Sequence, residues 1–211
     1  MKLYMWPTSP YVAKVLAVAE FKQLQQQIEL VYIYPWQKDS FIPQDNPLGK
    51  IPTLVTDEVG PLYDSSVICE YLDNIGQGSK LFPEGDARWQ ALRLQSLANG
   101  IMDAGVSIQV EKRMRPQGKQ SEDWIARQLK AIERSLFVAN DWATTAKGDC
   151  IGSISVGTAV AYLQLRIPEI LDKQAYPQLL NWFDEYIKHP YMSNNRPVLR
   201  ELPDNLEQLV A

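Results

Sequence analysis

The sequence predicts a chain in two parts, an α/β half followed by an all-helical half. Short apolar segments of strand-like composition alternate with helical ones only up to residue 77. Residues 78–86 are rich in Gly, Ser and Pro and have no period, which is typical of a linker. Beyond them, apolar residues recur only at helical spacing. We therefore predict an α/β domain over 1–77, a linker over 78–86, a helical domain over 87–203 and a tail over 204–211.

The first strand and the first helix meet at a proline-rich turn. Lys2–Trp6 has the composition of a short buried strand, which Pro7 ends. Ser9 is a favoured N-cap residue and Pro10 fits the first helical position, so a helix should begin there. The apolar face of this helix is formed by Val12, Val15, Leu16 and Ala19.

The rest of the α/β half contains three more strands and a closing helix. Glu29–Tyr34 is predicted as the second strand, Pro43–Gly49 as a loop and Ile51–Thr56 as the third strand. Leu62–Tyr63 is predicted as a short strand, after which Ser65 should cap a helix. The core stripe of that helix is predicted to be Ile68, Leu72 and Ile75.

Helical periodicity dominates the second half. One predicted helix carries an apolar stripe of Trp89, Leu92, Leu97, Ile101, Ala104 and Ile108. The next follows a capping Ser121 and carries Trp124, Ile125, Leu129, Ile132, Leu136 and Ala143. Residues 154–167 are mostly apolar and predict a buried central helix. A last helix has Leu179, Phe183 and Ile187 on its apolar face.

Composition narrows the possible functions. The net charge of −4 over 211 residues gives no basis for binding nucleic acid or an anionic membrane. No apolar run reaches the length of a membrane span, about 18 residues. The apolar segment that ends before Pro7 is too short for a signal peptide. The single histidine, His189, argues against a histidine-based metal site. Cys69 and Cys150 form no pair motif, which favours a reducing cytoplasm.

Four local strings identify a resemblance to a known family. They are PTSPYV at 7–12, NPLGKIPTL at 46–54, LYDSSVI at 62–68 and NGIMDA at 99–104. The first three resemble, in order and spacing, the glutathione-site strings of cytosolic glutathione S-transferases. The fourth is similar to the bacterial YibF-like branch of that family. The resemblance implies a thioredoxin-like N-terminal domain (βαβαββα), an all-α C-terminal domain, a homodimer, and glutathione as co-substrate without a metal.

Ser9 is the catalytic residue that the resemblance implies. At the strand-to-helix junction, a bound thiolate would meet a hydroxyl donor and the positive end of a helix. A hydrogen bond to a charged group stabilises by about 1.5–3 kcal/mol and a helix terminus by about 0.3–1 kcal/mol, and both lower the pKa of the thiol. Nucleophilicity falls with the pKa, so most acceleration should come from positioning the electrophile. Without the resemblance, Ser9 is an ordinary N-cap.

The other glutathione contacts are implied at two further strings. The family keeps a cis peptide bond before the residue matching Pro52, which would expose the Ile51 backbone N–H and C=O to glutathione. Ser65, at a helix N-terminus, could bind the γ-glutamyl carboxylate, and Asp64 the α-amino group. Lys50 could meet the glycine carboxylate. The plain alternatives are a strand-start proline, helix capping and a solvated lysine.

The electrophile is expected between Ser9 and the first long helix. The residues predicted to line this pocket are Trp6, Tyr11, Met102, Val106 and Gln109. Ordinary core packing is an equally good interpretation of Trp6 and Tyr11.

Two departures from the family pattern bear on the chemistry and the stability. Ser9 stands where reductive members carry cysteine, which argues against thiol–disulfide catalysis, and Cys69 is predicted to serve packing. At Cys150–Ser153 the reciprocal cap of the central helix should be weakened, with Asp149 as a possible substitute.

Three functions remain open on this evidence. The first is an enzyme that conjugates glutathione to a small hydrophobic electrophile. The second is a non-catalytic binding or regulatory protein of the same fold. The third is a glutathione-dependent isomerase or dehalogenase, which would share the fold and the site.

Overall fold

A computed structural model describes residues 1–37 and 40–200 of the chain. The chain divides into an α/β unit, Met1–Lys80 with the segment from Pro197, and a helical unit, Leu81–Arg196. The boundary falls inside the predicted linker. Leu81 is fully buried and its carbonyl accepts a hydrogen bond from the Ile151 N–H at 2.8 Å, so the middle of the predicted linker is packed. The predicted tail, 204–211, lies outside the described residues.

The α/β unit contains a four-stranded sheet with helices. Its strands are β1 (Lys2–Met5), β2 (Glu29–Tyr32), β3 (Thr53–Thr56) and β4 (Gly60–Leu62). Its helices are α1 (Pro10–Phe21), α2 (Ile42–Asp45) and α3 (Ser65–Ile75), besides a 3₁₀ turn at Gln25–Gln27. The strand order is β2-β1-β3-β4, with β2 parallel to β1 and the other pairs antiparallel. The predicted thioredoxin-like βαβαββα order is confirmed.

The helix starts of this unit differ in how well the sequence predicted them. Ser9 caps α1 as predicted, because its Oγ accepts the Val12 N–H at 3.3 Å. The predicted Ser65 cap is wrong, since Asp64 caps α3 and its Oδ1 accepts the Ser66 N–H at 2.9 Å. A carboxylate suits this position because it also meets the positive end of the helix.

Two other details of the α/β half correct the prediction. The predicted loop Pro43–Gly49 begins inside α2, where Pro43 occupies the first turn, a position that does not need its missing N–H. Ile75 is not part of the core stripe, since it is 42% exposed at the last residue of α3.

Helix α2 packs on the sheet through Ile42, and helix α1 packs against α3. Tyr4 of β1 joins Ile33 and Ile42 in a buried cluster. A buried ion pair joins the ends of α1 and α3, with 3.1 Å between Lys22 Nζ and Asp73 Oδ1. Lys22 also donates to the Ser79 carbonyl at 2.9 Å, which ties the chain beyond α3 to the same point.

The helical unit is built around one buried helix. Its helices are α4 (Asp86–Met114), α5 (Glu122–Ala143), α6 (Ile151–Arg166), α7 (Pro177–Tyr186) and α8 (Pro190–Ser193), besides a 3₁₀ turn at Pro168–Ile170. The predicted central helix is α6, which packs against α4 along its length. Trp89 and Trp124 are 68% and 43% exposed. The predicted apolar stripes therefore wrongly include residues in the exposed first turns of α4 and α5. No helix within the described residues is long and apolar enough to cross a membrane.

The start of α6 keeps one strong half of the reciprocal cap. The Ser153 hydroxyl accepts the Cys150 N–H at 2.9 Å, whereas the group that faces the Ser153 N–H is the Cys150 sulfur, a weaker acceptor than a hydroxyl. Asp149 does not act as the substitute cap. Its Oδ1 instead accepts the hydroxyls of Tyr186, at 3.0 Å, and Tyr191, at 2.6 Å.

Candidate functional site

Strand register brings three of the singled-out strings to one edge of the sheet. Tyr4 near the end of β1 pairs with Thr53 at the start of β3, and Leu54 pairs with Leu62 at the end of β4. The end of β1, the start of β3 and the end of β4 therefore lie side by side. The turn to Ser9, the Ile51–Pro52 bond and the start of α3 all extend from this edge, which we call the site edge.

Ser9 is held at this edge by its own backbone and by the helix it caps. Its N–H donates to the Trp6 carbonyl at 3.0 Å, and its carbonyl accepts from the Ala13 N–H at 3.1 Å. The Ser9 Oγ accepts from the Val12 N–H, which uses a lone pair of the hydroxyl. Its O–H donates to no residue that the structure describes. A capping serine thus keeps a proton to offer to an anion.

The Ile51–Pro52 peptide bond is cis, as the family resemblance implied. Ile51 packs its side chain against the Tyr4 cluster. Its backbone N–H and C=O form no hydrogen bond with any described residue, so both are available to an extended ligand.

Asn46 fixes the loop that leads to this cis bond, a role that the sequence analysis missed. Its side chain is 1% exposed and donates to the Lys50 carbonyl and to Thr53 Oγ1, both at 3.0 Å. Its Oδ1 accepts from the Leu48 N–H at 3.0 Å. Gly49 has φ +62°, a left-handed conformation suited to glycine. An asparagine before Pro-x-Gly was the available signal.

The start of α3 offers donors and an acid. Ser65 is almost fully buried, yet neither its hydroxyl nor its N–H has a hydrogen-bond partner among residues 1–37 and 40–200. Free donors at a helix start suit a carboxylate. Asp64 is exposed and uses one oxygen, Oδ1, as the cap. The Tyr63–Asp64 peptide bond is also cis.

The remaining predicted residues occupy different settings. Lys50 is exposed beside the cis bond, and Tyr11 is half-buried in α1. Trp6 is 9% exposed and packs edge-on against Tyr34, with 5.3 Å between ring centroids. The other predicted pocket residues belong to α4 of the helical unit: Met102 is fully buried in the core, and Val106 and Gln109 are half-buried.

The titration of nearby groups fits structural roles. Complete burial raises the pKa of the Cys69 thiol to about 12, and Asp64 and Asp73 act in the same direction while Lys14 opposes them. Cys69 is therefore no nucleophile at neutral pH. Burial, and then the hydrogen bond to Asp45, raise the pKa of Tyr4 to about 12, and this 2.6 Å bond ties α2 to β1.

Comparison with known proteins agrees with the family resemblance that the four strings indicated. Residues 8–75 match the family model of the glutathione S-transferase N-terminal domain. A GST-like protein of Escherichia coli K12, YibF, which is itself uncharacterized, is 36% identical over 171 residues, covering 79% of this chain and 83% of its own.

Solved structures extend the match. A glutathione transferase family member from Pseudomonas fluorescens Pf-5 with bound glutathione is 38% identical, with TM-score 0.86 over 94% of this chain and 99% of its own. A glutathione S-transferase from Methylobacterium radiotolerans, in complex with glutathione sulfonate, is 31% identical, with TM-score 0.86 over 96% and 97%.

Proposed function

Because the chain belongs to the glutathione S-transferase family, we propose that it binds glutathione at the site edge and transfers it to a small hydrophobic electrophile. The observation that carries this proposal is the convergence of three unsatisfied groups at one edge: the Ser9 hydroxyl proton, the Ile51 backbone and the Ser65 donors. These three groups match, in turn, a thiolate, a peptide backbone and a carboxylate. Glutathione carries all three.

Each residue has a distinct role in this mechanism. The Ser9 hydroxyl donates to the glutathione sulfur and stabilises its thiolate. The Ile51 N–H and C=O pair with the cysteinyl backbone at the cis turn. Ser65 binds the γ-glutamyl carboxylate at the start of α3, Asp64 meets the α-amino group, and Lys50 meets the glycine carboxylate.

The reaction proceeds when the glutathione thiolate and the electrophile are held close together. The thiolate sulfur attacks the electrophilic carbon, a C–S bond forms, and the electron pair departs with the leaving group. Trp6 and Tyr11 of the α/β unit are proposed to contact the electrophile, because oriented contact contributes more than the change in ionisation.

Two kinds of support come from relatives. The Pseudomonas fluorescens and Methylobacterium radiotolerans proteins were solved with glutathione and glutathione sulfonate. The similarity to each extends over more than nine-tenths of this chain, which supports a shared binding site.

We extend the proposal to a homodimer and, since Cys69 and Cys150 are free thiols, to the cytoplasm.

Titration calorimetry with glutathione, followed by a screen of electrophiles, tests this function. Binding at micromolar to millimolar affinity together with turnover supports it, and absence of binding points to a non-catalytic member of the fold. Ser9→Ala should lower turnover, whereas Ser121→Ala should not. Ser121 makes the same cap hydrogen bond at the start of α5, at 3.2 Å from Trp124 N, so it controls for cap loss. Unchanged turnover in Ser9→Ala would show that Ser9 is misassigned.

A further inference from the structure

The C-terminal segment Pro197–Arg200 belongs to the α/β unit rather than to the helices that precede it. Pro197 is buried there, and the Val198 N–H donates to the Pro7 carbonyl at 3.0 Å. Pro7 lies two residues before Ser9 in the turn that forms the site edge. The end of the described chain is therefore anchored beside the proposed thiolate.

Arg200 at the end of this segment lies on aromatic rings. Its guanidinium carbon is 4.8 Å from the ring centroid of Tyr32 and 5.5 Å from that of Trp6. Trp6 is the residue whose carbonyl accepts the Ser9 N–H. Tyr34 is buried beside Trp6, and the exposed ring of Trp36 follows it, with 5.6 Å between the ring centroids of Tyr34 and Trp36. The positive charge of Arg200 thus lies over the exposed ring of Tyr32 and the largely buried ring of Trp6, three residues before Ser9.

A stacked guanidinium still presents its N–H edge, which matches the two oxygens of a carboxylate. The side chain of Arg200 is exposed, and no carboxylate of residues 1–37 or 40–200 forms an ion pair with it. We propose that Arg200 is a specificity-determining residue that selects electrophiles bearing a carboxylate on an aromatic or planar body. This inference rests on the proposed glutathione transfer.

The position in the sheet favours the electrophile over glutathione as the source of this carboxylate. In the order β2-β1-β3-β4, the proposed glutathione groups lie at β1, β3 and β4, whereas Arg200 covers the ends of β1 and β2. Ser65 and Lys50 are already proposed for the two carboxylates of glutathione. The charge of Arg200 is left for the second substrate.

A matched pair of probes separates charge from reactivity: 4-chloro-3-nitrobenzoate and the neutral 4-chloro-3-nitrobenzamide. In both, the thiolate attacks the carbon that bears chlorine, a C–S bond forms, the C–Cl bond breaks and chloride leaves with the electron pair. No oxidant or reductant is needed. The ring can stack on the exposed ring of Tyr32 or Trp36, and only the benzoate can pair with Arg200.

The test compares kcat/KM for both probes in the parent, in Arg200→Gln and in Arg196→Gln. Arg196 provides the same change of charge four residues earlier, but it donates to Gln164 at 3.0 Å instead of lying on Trp6. Arg200→Gln should lower kcat/KM for the benzoate about tenfold, equivalent to about 1.4 kcal/mol, and leave the benzamide within twofold. Raising the salt concentration should shrink the difference between parent and variant.

Three results would overturn the inference. Equal losses for benzoate and benzamide would make Arg200 a structural residue, and an equal loss in Arg196→Gln would reduce its effect to net charge. A raised Kd for glutathione in Arg200→Gln would assign the residue to glutathione instead. If the parent fails to bind glutathione, the proposed function itself fails, which calorimetry on the parent reveals before any variant is made.

Discussion

Replacing Asn46 by alanine should damage glutathione binding more than its effect on stability alone would explain. Asn46 is nearly fully buried and touches glutathione in no part of the proposed mechanism. Its side chain joins Leu48, Lys50 and Thr53 through three hydrogen bonds of 3.0 Å. Those bonds shape the loop that presents the Ile51 backbone at the cis bond.

The magnitude follows from these bonds. Each buried hydrogen bond contributes about 0.5–1.5 kcal/mol, so Asn46→Ala should lower the free energy of unfolding by about 2–4 kcal/mol. A typical domain has about 5–15 kcal/mol, so the variant should still fold. If the loop no longer holds Ile51 in place, the loss of about 1.4 kcal/mol of backbone pairing raises the Kd for glutathione about tenfold.

Urea unfolding and calorimetry measure the two effects, and Thr56→Ala is the matched control. Thr56 is also buried, donates to the Gly60 carbonyl at 3.0 Å and accepts from the Val59 N–H at 3.1 Å. It lies at the other end of β3, away from the site edge. Its loss should lower stability by about 1–3 kcal/mol with an unchanged Kd. An equal rise of the Kd in both variants would refute a local role for Asn46.

Three further outcomes follow from buried groups. Lys22→Met should lower the free energy of unfolding by about 3–5 kcal/mol in urea titrations, because it leaves Asp73 as a buried charge without Lys22. Gly152→Ala should cost about 1–3 kcal/mol in the same assay, since an added Cβ would lie 2.8 Å from Leu94 Cδ2. Cys69, whose pKa burial raises to about 12, should resist alkylation at pH 8 until the chain unfolds, and mass spectrometry of the labelled protein checks this.

Local signals were enough to predict the parts of the site that depend on neighbouring residues. The start of α1 followed from Ser9 and Pro10, since a cap and a preset φ act within one turn. The family resemblance supplied the cis bond before Pro52, which base rates alone would have made improbable. Both features are encoded within a few residues.

Features that depend on distant partners could not be predicted. The periodicity that placed Trp89 on a core stripe cannot tell where packing on the next helix begins. The Ser65 cap failed because Ser and Asp are equally good caps and only the backbone decides between them. Arg200 is nearly two hundred residues from Trp6 in sequence, so no local pattern could associate them.

Ionisation of bound glutathione tests the central claim most directly. The ultraviolet absorbance of the thiolate is followed as the pH of the glutathione complex is raised, in the parent and in Ser9→Ala. Donation from the Ser9 hydroxyl stabilises the charged form, so the thiolate should appear at lower pH in the parent than in free glutathione. Loss of a bond worth about 1.5–3 kcal/mol should move the midpoint up by about one to two pH units in Ser9→Ala. Identical titration curves for the two proteins, both with glutathione bound, would contradict the account.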